Sequence, residues 1–173
     1  ERVETGRGLV QDDDLRLLGG EEEARYGVLG MLETMPYSDA IVVDLGGASF
    51  EVSAVRNREI IRASSLPWGA VTLTERFLRD REETAGYIEL RNFIARECRD
   101  LGWLPDADGP LVIVGGSART VGRVHMGRRL AAAVGVQQHV IDHEAFKDLE
   151  AHLFDMSGEE RQEKLEISRD RPE

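Results

Sequence analysis

Between Ala40 and Ser65 the chain passes through three short stretches rich in β-branched residues, joined by connections too short to hold anything but turns. Ala40–Val43 is the first. Asp44-Leu45-Gly46-Gly47-Ala48-Ser49 follows as a tight loop, Phe50–Val55 is the second stretch, Arg56-Asn57-Arg58 a turn, and Glu59–Ser65 the third. Runs of this composition between turn residues are strands, and connections this short predict an antiparallel meander. A fourth apolar run, Leu111–Val114, comes only after a long stretch of helical periodicity. A strand reached through a helical crossover lies parallel to its neighbour, and its unbroken apolar character predicts a central position, buried on both faces. The fold class that follows is α/β: a mixed sheet with helices packed on it.

The helical stretches are read from their apolar spacing. Over Glu21–Leu32, Ala24, Val28 and Leu32 share one face, and Pro36 ends that element. Pro67-Trp68-Gly69 breaks the strand pattern before a helix over Ala70–Leu78. A longer helix over Glu83–Leu101 sets Tyr87, Leu90, Ile94, Cys98 and Leu101 on one side. Ser117 is expected to cap the helix after the fourth strand. Glu144–Phe154 is a further helix, and Ser157-Gly158-Glu159-Glu160 fits the capping box of a last one. Residues 1–18 carry no clear period, and their first part reads as loop or as a detached piece of another unit.

Composition narrows the function. The formal charge is −11, which disfavours nucleic acid as a partner, because such binding rests on Lys and Arg neutralising phosphates. No apolar run approaches the ~20 residues that span a bilayer, and residues 1–20 lack the apolar core of a signal peptide; a membrane role is not expected. The single cysteine, Cys98, cannot form an intrachain disulfide and is expected to pack half-buried on its helix, as suits a reducing, cytoplasmic setting. An acidic protein that takes an anionic phosphate substrate needs cations inside its site, a metal or a local Arg/Lys cluster.

Three segments carry residues suited to that chemistry. Asp44 stands at the end of a buried strand, before Gly46-Gly47, with Ser49 and Glu51 beyond. Successive glycines let backbone N–H groups face an anion, and Ser49 and Glu51 fall on one side of a strand. Backbone donors beside carboxylates make sense where phosphate and a divalent metal bind together; equally, Asp-x-Gly-Gly can do no more than shape a hairpin. Gly115-Gly116-Ser117, between a strand and a helix N-terminus, is either an anion site or a point of close helix–strand packing. Glu21-Glu22-Glu23 is either a solvated first turn favoured by the helix dipole or the source of a general base. Trp68 and Trp103 read as core or edge aromatics. His125, His139, His143 and His152 show no zinc-ligand spacing.

These segments, in this order, resemble a known family. Gly20-Glu21-Glu22-Glu23-Ala24-Arg25 resembles its Ser-Gly-x-Glu-Glu-Ala-Arg segment. Val42 to Glu51 resembles its second phosphate loop, Asp-x-Gly-Gly-Gly-Ser-x-Glu. Leu66 to Phe77 is similar to the stretch after that loop, Val114 to Thr120 to its Gly-Gly-Thr-Ala-Arg segment, and Ser157 to Arg171 to its Ser-x-Glu-Glu-Arg…Asp-Arg run. The family is the exopolyphosphatase/guanosine-pentaphosphate phosphohydrolase (Ppx/GppA) family, within the actin, Hsp70 and sugar-kinase superfamily of ribonuclease-H-like folds, and the resemblance spans Leu17 to Arg171.

The resemblance implies that residues 15–173 are the second ribonuclease-H-like lobe of a two-lobed catalytic module, with residues 1–14 a poorly matching segment, a remnant of the first lobe. It implies Glu23 as the base that activates water, Mg²⁺ as cofactor with Asp44 and Glu51 as its ligands, and Gly46, Gly47, Ser49, Gly115, Gly116 and Ser117 as phosphate-binding positions. The implied substrates are polyphosphate or guanosine pentaphosphate, and the implied assembly a homodimer. Two positions depart from the pattern: Ala48 stands where the family has glycine, with a Cβ that disfavours positive φ, and Ser117 replaces threonine. The first lobe's own phosphate loop, Asp-x-Gly-x-Asn-Ser, does not occur in the sequence. A non-catalytic module that binds polyphosphate or a guanosine alarmone is the alternative, and a kinase relative on the same fold a weaker third.

Overall fold

The computed structural model describes residues 2–5, 8–11, 19–79 and 83–165. Its strands are β1 (Arg2–Thr5), β2 (Gly8–Gln11), β3 (Ala40–Leu45), β4 (Phe50–Arg56), β5 (Glu59–Leu66) and β6 (Leu111–Val114). Its helices are α1 (Gly20–Thr34), α2 (Ala70–Leu73, widening into a π-turn over Thr74–Leu78), α3 (Glu83–Asp100), α4 (Gly115–Met126), α5 (Arg128–Val134), α6 (His143–Phe154) and α7 (Gly158–Leu165).

The predicted meander forms. β3, β4 and β5 pair antiparallel, β6 joins β3 in parallel, and the sheet runs β5-β4-β3-β6. Two expectations are corrected. β6 is not central: it pairs with β3 alone in this sheet, and Leu111 and Ile113 are 61% and 43% exposed while Val112 is buried. Four apolar residues look alike whether one neighbour covers them or two, so composition could not separate an edge from a centre. Residues 2–5 and 8–11, expected as loop, are strands β1 and β2, paired antiparallel in a separate two-stranded sheet. Strands of four residues are too short to display a period. The Asp12–Leu18 segment and the Asp-Arg run at 170–171 lie outside the described residues.

Alternation along the strands divides the core between the two sheet faces. On one face α1 lays Val28, Met31 and Leu32 over Ala40, Val42, Val55 and Val112. On the other, Trp68, Leu73, Phe77 and Phe93 pack with Phe50 and Leu66, the Phe50 and Trp68 rings stacked 4.4 Å apart. Phe93, absent from the predicted α3 face, is the residue of that helix that reaches this cluster most deeply, between Leu90 and Ile94. Cys98 is half-buried as expected, and burial pushes its thiol pKa up.

Local chemistry sets the ends of the elements. The β4–β5 turn places Asn57 and Arg58 at φ +50° and +63°, the left-handed pair that a two-residue hairpin needs. The Arg58 guanidinium donates to the Leu32 carbonyl at 2.6 Å, satisfying one of α1's last acceptors. Asp142 caps α6 through the Ala145 N–H at 2.9 Å. Ser157 and Glu160 form the predicted reciprocal capping box at α7, with bonds of 3.2 and 3.0 Å. The Ser117 cap does not form. α4 starts two residues earlier, because Gly115, at φ +94°, turns β6 directly into the helix and leaves Ser117 inside its first turn. None of the described helices is long and apolar enough to cross a membrane.

Candidate active site

Strand register builds the site. Asp44 lies opposite Glu51 on β4 and beside Val114 on β6, and Glu51 lies opposite Ser65 on β5. Residues directly opposite share a face, so Ser65, Glu51, Asp44 and Val114 form one row across all four strands. Asp44 alternates with Val42 and Ala40, which α1 covers, so the row lies on the α1 face, at the C-terminal end of β3.

The row is acidic and short of donors. Glu51 is 3% exposed, and the Ser65 hydroxyl donates to its Oε1 at 3.0 Å. Burial raises the Asp44 pKa above the ordinary carboxylate value, the charge of Glu51 adds to the rise, and the Arg119 guanidinium works against it. Two carboxylates at neighbouring positions, one of them buried, present hard oxygen donors. That donor set fits Mg²⁺, which takes oxygen ligands and one or two carboxylates beside substrate phosphates.

The loop after β3 turns its donors outward. Gly46 N–H closes it on the Ser49 carbonyl at 3.0 Å. The Gly46 carbonyl accepts from Ala70 N–H at 2.9 Å, and the Gly47 carbonyl accepts from Val71 N–H at 2.9 Å and Thr72 N–H at 3.3 Å. In a trans peptide the N–H points opposite to the carbonyl, so the N–H groups of Gly47 and Ala48 face away from α2, and neither meets an acceptor among the described residues. Gly69 permits this close packing: a Cβ there would lie 2.5 Å from the Gly46 oxygen and 2.7 Å from the Gly47 carbonyl carbon. Ala48 is exposed and is not among the residues with positive φ, so its methyl strains nothing where the family pattern has glycine.

α4 starts against Asp44. A Cβ on Gly115 would overlap the Asp44 carboxylate, 3.4 Å from its Cγ and closer still to Oδ1. The first-turn N–H groups of α4, on Gly115, Gly116 and Ser117, are among those a helix leaves without internal partners, and the helix dipole favours an anion there. Arg119 follows at the start of the next turn of α4.

α1 closes the row from the other side. A Cβ on Gly20 would lie 2.7 Å from the Ser65 Cβ and closer to its Oγ, so the first turn of α1 rests on Ser65. Of the three glutamates on that turn, Glu22 accepts from the Gly19 N–H at 3.3 Å, which ties it to the cap. Glu23 is exposed, and its carboxylate makes no hydrogen bond or ion pair among the described residues.

The predicted loops are thus brought to one end of one sheet: Asp44 and Glu51 side by side, Gly115 against Asp44, and the turn bearing Glu23 on the Glu51–Ser65 pair. Sequence reasoning missed Ser65, Gly69 and Arg119. Ser64-Ser65 at the end of an otherwise apolar strand and a glycine after Pro67-Trp68 were the available signals. The histidines yield a contact that spacing did not suggest, His125 Nδ1 to His139 Nε2 at 2.8 Å. No group of three or more metal-ligating His, Cys, Asp or Glu occurs among the described residues.

Comparison with known proteins gives the family and the fold. Residues 7–173 match the model of the Ppx/GppA phosphatase family. The chain belongs to that family. It is 43% identical over 80 residues to a guanosine-5'-triphosphate,3'-diphosphate pyrophosphatase of Photobacterium profundum, a match covering 46% of this chain and 15% of that one. A protein of the same description from Aliivibrio fischeri is 34% identical over 99 residues, covering 52% of this chain and 20% of the relative. Among solved structures, the Ppx/GppA enzyme of Aquifex aeolicus superposes with a TM-score of 0.75 at 23% identity, over 88% of this chain and 51% of its own. An exopolyphosphatase from Cytophaga hutchinsonii gives 0.71 at 18%, over 88% and 51%. These likenesses establish the ribonuclease-H-like, actin-related fold. The chain spans about half the length of the solved relatives it matches.

Proposed function

We propose that this chain is one lobe of a phosphoanhydride hydrolase that transfers a terminal phosphoryl group of inorganic polyphosphate, or the 5′-terminal phosphate of guanosine pentaphosphate, to water. The observation that carries this reading is the acidic row Glu51–Asp44 set between two sets of backbone donors that meet no acceptor among the described residues, the Gly47 and Ala48 N–H groups and the first turn of α4. Carboxylates beside anion donors are contradictory for a phosphate alone and coherent for a phosphate with a divalent cation.

Asp44 and Glu51 would hold Mg²⁺, which when bound offsets phosphate charge and polarises the phosphoryl group. The N–H groups of Gly47 and Ala48, the Ser49 hydroxyl and the N–H groups of Gly115, Gly116 and Ser117 orient the phosphate oxygens. Arg119 adds a cation at the same end of the sheet. Glu23, exposed on the first turn of α1, takes the proton of the attacking water as the oxygen–phosphorus bond forms and the bridging P–O bond breaks. Positioning and charge neutralisation supply most of the rate in such transfers.

The test is phosphate release from both substrates by the full-length protein with Mg²⁺. Glu23→Gln is expected to lower kcat by about 10²–10⁴-fold, the range of a lost general base, with its melting temperature unchanged. Wild-type protein that binds either substrate tightly and releases no phosphate refutes the hydrolase and leaves a binding module in its place.

A further inference from the structure

Ser65 occupies a place that neither the motif nor the proposed chemistry assigns. It ends the cross-sheet row, opposite Glu51, and its hydroxyl is the one side-chain donor to the Glu51 carboxylate among the described residues, at 3.0 Å. Glu51 is 3% exposed, so water does not readily replace that bond. The same side chain bears the first turn of α1, where Gly20 leaves no room for a Cβ, three residues before Glu23. A valine or alanine would suit strand packing here as well. It would leave a buried carboxylate oxygen unpaired, which costs more than an ordinary lost hydrogen bond.

We propose that Ser65 is a positioning residue: through its hydroxyl it aims the Glu51 carboxylate toward the cation site shared with Asp44, and through its contact with Gly20 it holds the Glu23-bearing turn of α1 against that carboxylate. The inference rests on the reading of Asp44 and Glu51 as metal ligands, and it requires no step of the hydrolysis. An outer partner of a ligating group orients it, and its loss typically weakens metal affinity by about 10–100-fold. Gly20 belongs to the same device. Adding a methyl at that position removes no functional group, yet it must displace the Ser65 hydroxyl.

The experiment is calorimetric titration of the full-length protein with Mn²⁺, without substrate, for wild type, Ser65→Ala and Gly20→Ala, with thermal melting on the same samples. Ser65→Ala is expected to raise the Mn²⁺ Kd about tenfold or more while still melting cooperatively. Gly20→Ala is expected to shift the Kd in the same direction although the serine is intact. Should Ser65→Ala not fold, Gly20→Ala carries the test alone, because it keeps both the serine hydroxyl and the Glu51 carboxylate. A Kd within twofold of wild type in a folded Ser65→Ala or Gly20→Ala protein overturns the assignment, as does a wild-type protein that binds no Mn²⁺. Failure of the hydrolase reading is a separate outcome: Mn²⁺ bound by wild type, weakened by both variants, and no phosphate released.

Discussion

Asp44 is held where a carboxylate is uncomfortable. Burial and the neighbouring Glu51 both raise its pKa, and Arg119 offsets only part of the rise. The folded chain therefore binds a proton at Asp44 more tightly than the unfolded chain does, so this residue favours folding at low pH, and the contribution is lost as pH rises through its elevated pKa. Asp44→Asn cannot ionise. In chelator at pH 7 it is expected to melt above wild type, and the difference is expected to shrink toward acidic pH, where wild-type Asp44 is protonated. Melting curves of both proteins across pH check this. Gly69 makes the opposite case, a residue chosen for what it lacks. Gly69→Ala would press a methyl into the 46–48 backbone, and such overpacking typically costs about 1–3 kcal/mol. The 46–48 backbone must shift to admit it, and phosphate release is expected to fall by about tenfold or more, measured beside a denaturant midpoint. Neither residue's situation could be read along the chain. Asp44 was legible as a candidate from its place before two glycines; its conflict with Glu51 and its contact with Gly115 are products of register and of the turn into α4.

Among the elements, α1 serves both core and site. Its sheet-facing stripe of Ala24, Val28, Met31 and Leu32 is buried, and the same helix ends at the row with Gly20 and Glu23. Met31→Ala is expected to cost about 2–5 kcal/mol, the range for truncating a buried side chain of that size, read as a lower denaturant midpoint. The stripe was legible because a 3.6-residue period leaves an unmistakable spacing; the meander was legible because its turns are too short for anything else. The edge position of β6 and the early start of α4 were not. The first depends on which strands lie alongside, the second on a single backbone angle at Gly115.

At the scale of the molecule, a net charge of −11 meets a proposed substrate that is itself an anion, and the proposed cation reconciles them. Ligands that bind only the folded state stabilise it by mass action, by about 2.7 kcal/mol at a hundredfold excess over Kd. For a chain of this size that is worth several degrees of melting temperature, at roughly 2–4 °C per kcal/mol. Saturating Mg²⁺ is expected to raise the wild-type melting temperature by that amount and to leave Asp44→Asn unmoved; scans with Mg²⁺ and with chelator decide it. The sequence by itself determined the order of strands β3 to β6 and of the main helices between and after them, the family, and the candidate carboxylates and glycines, because periodicity, turn chemistry and motif order are properties of neighbours along the chain. Only the tertiary structure decided that the Ser65 hydroxyl bonds Glu51, that Gly69 packs against the 46–48 backbone and that Glu22 is occupied by the helix cap. Those relations join residues from different elements, and register and packing alone bring them together.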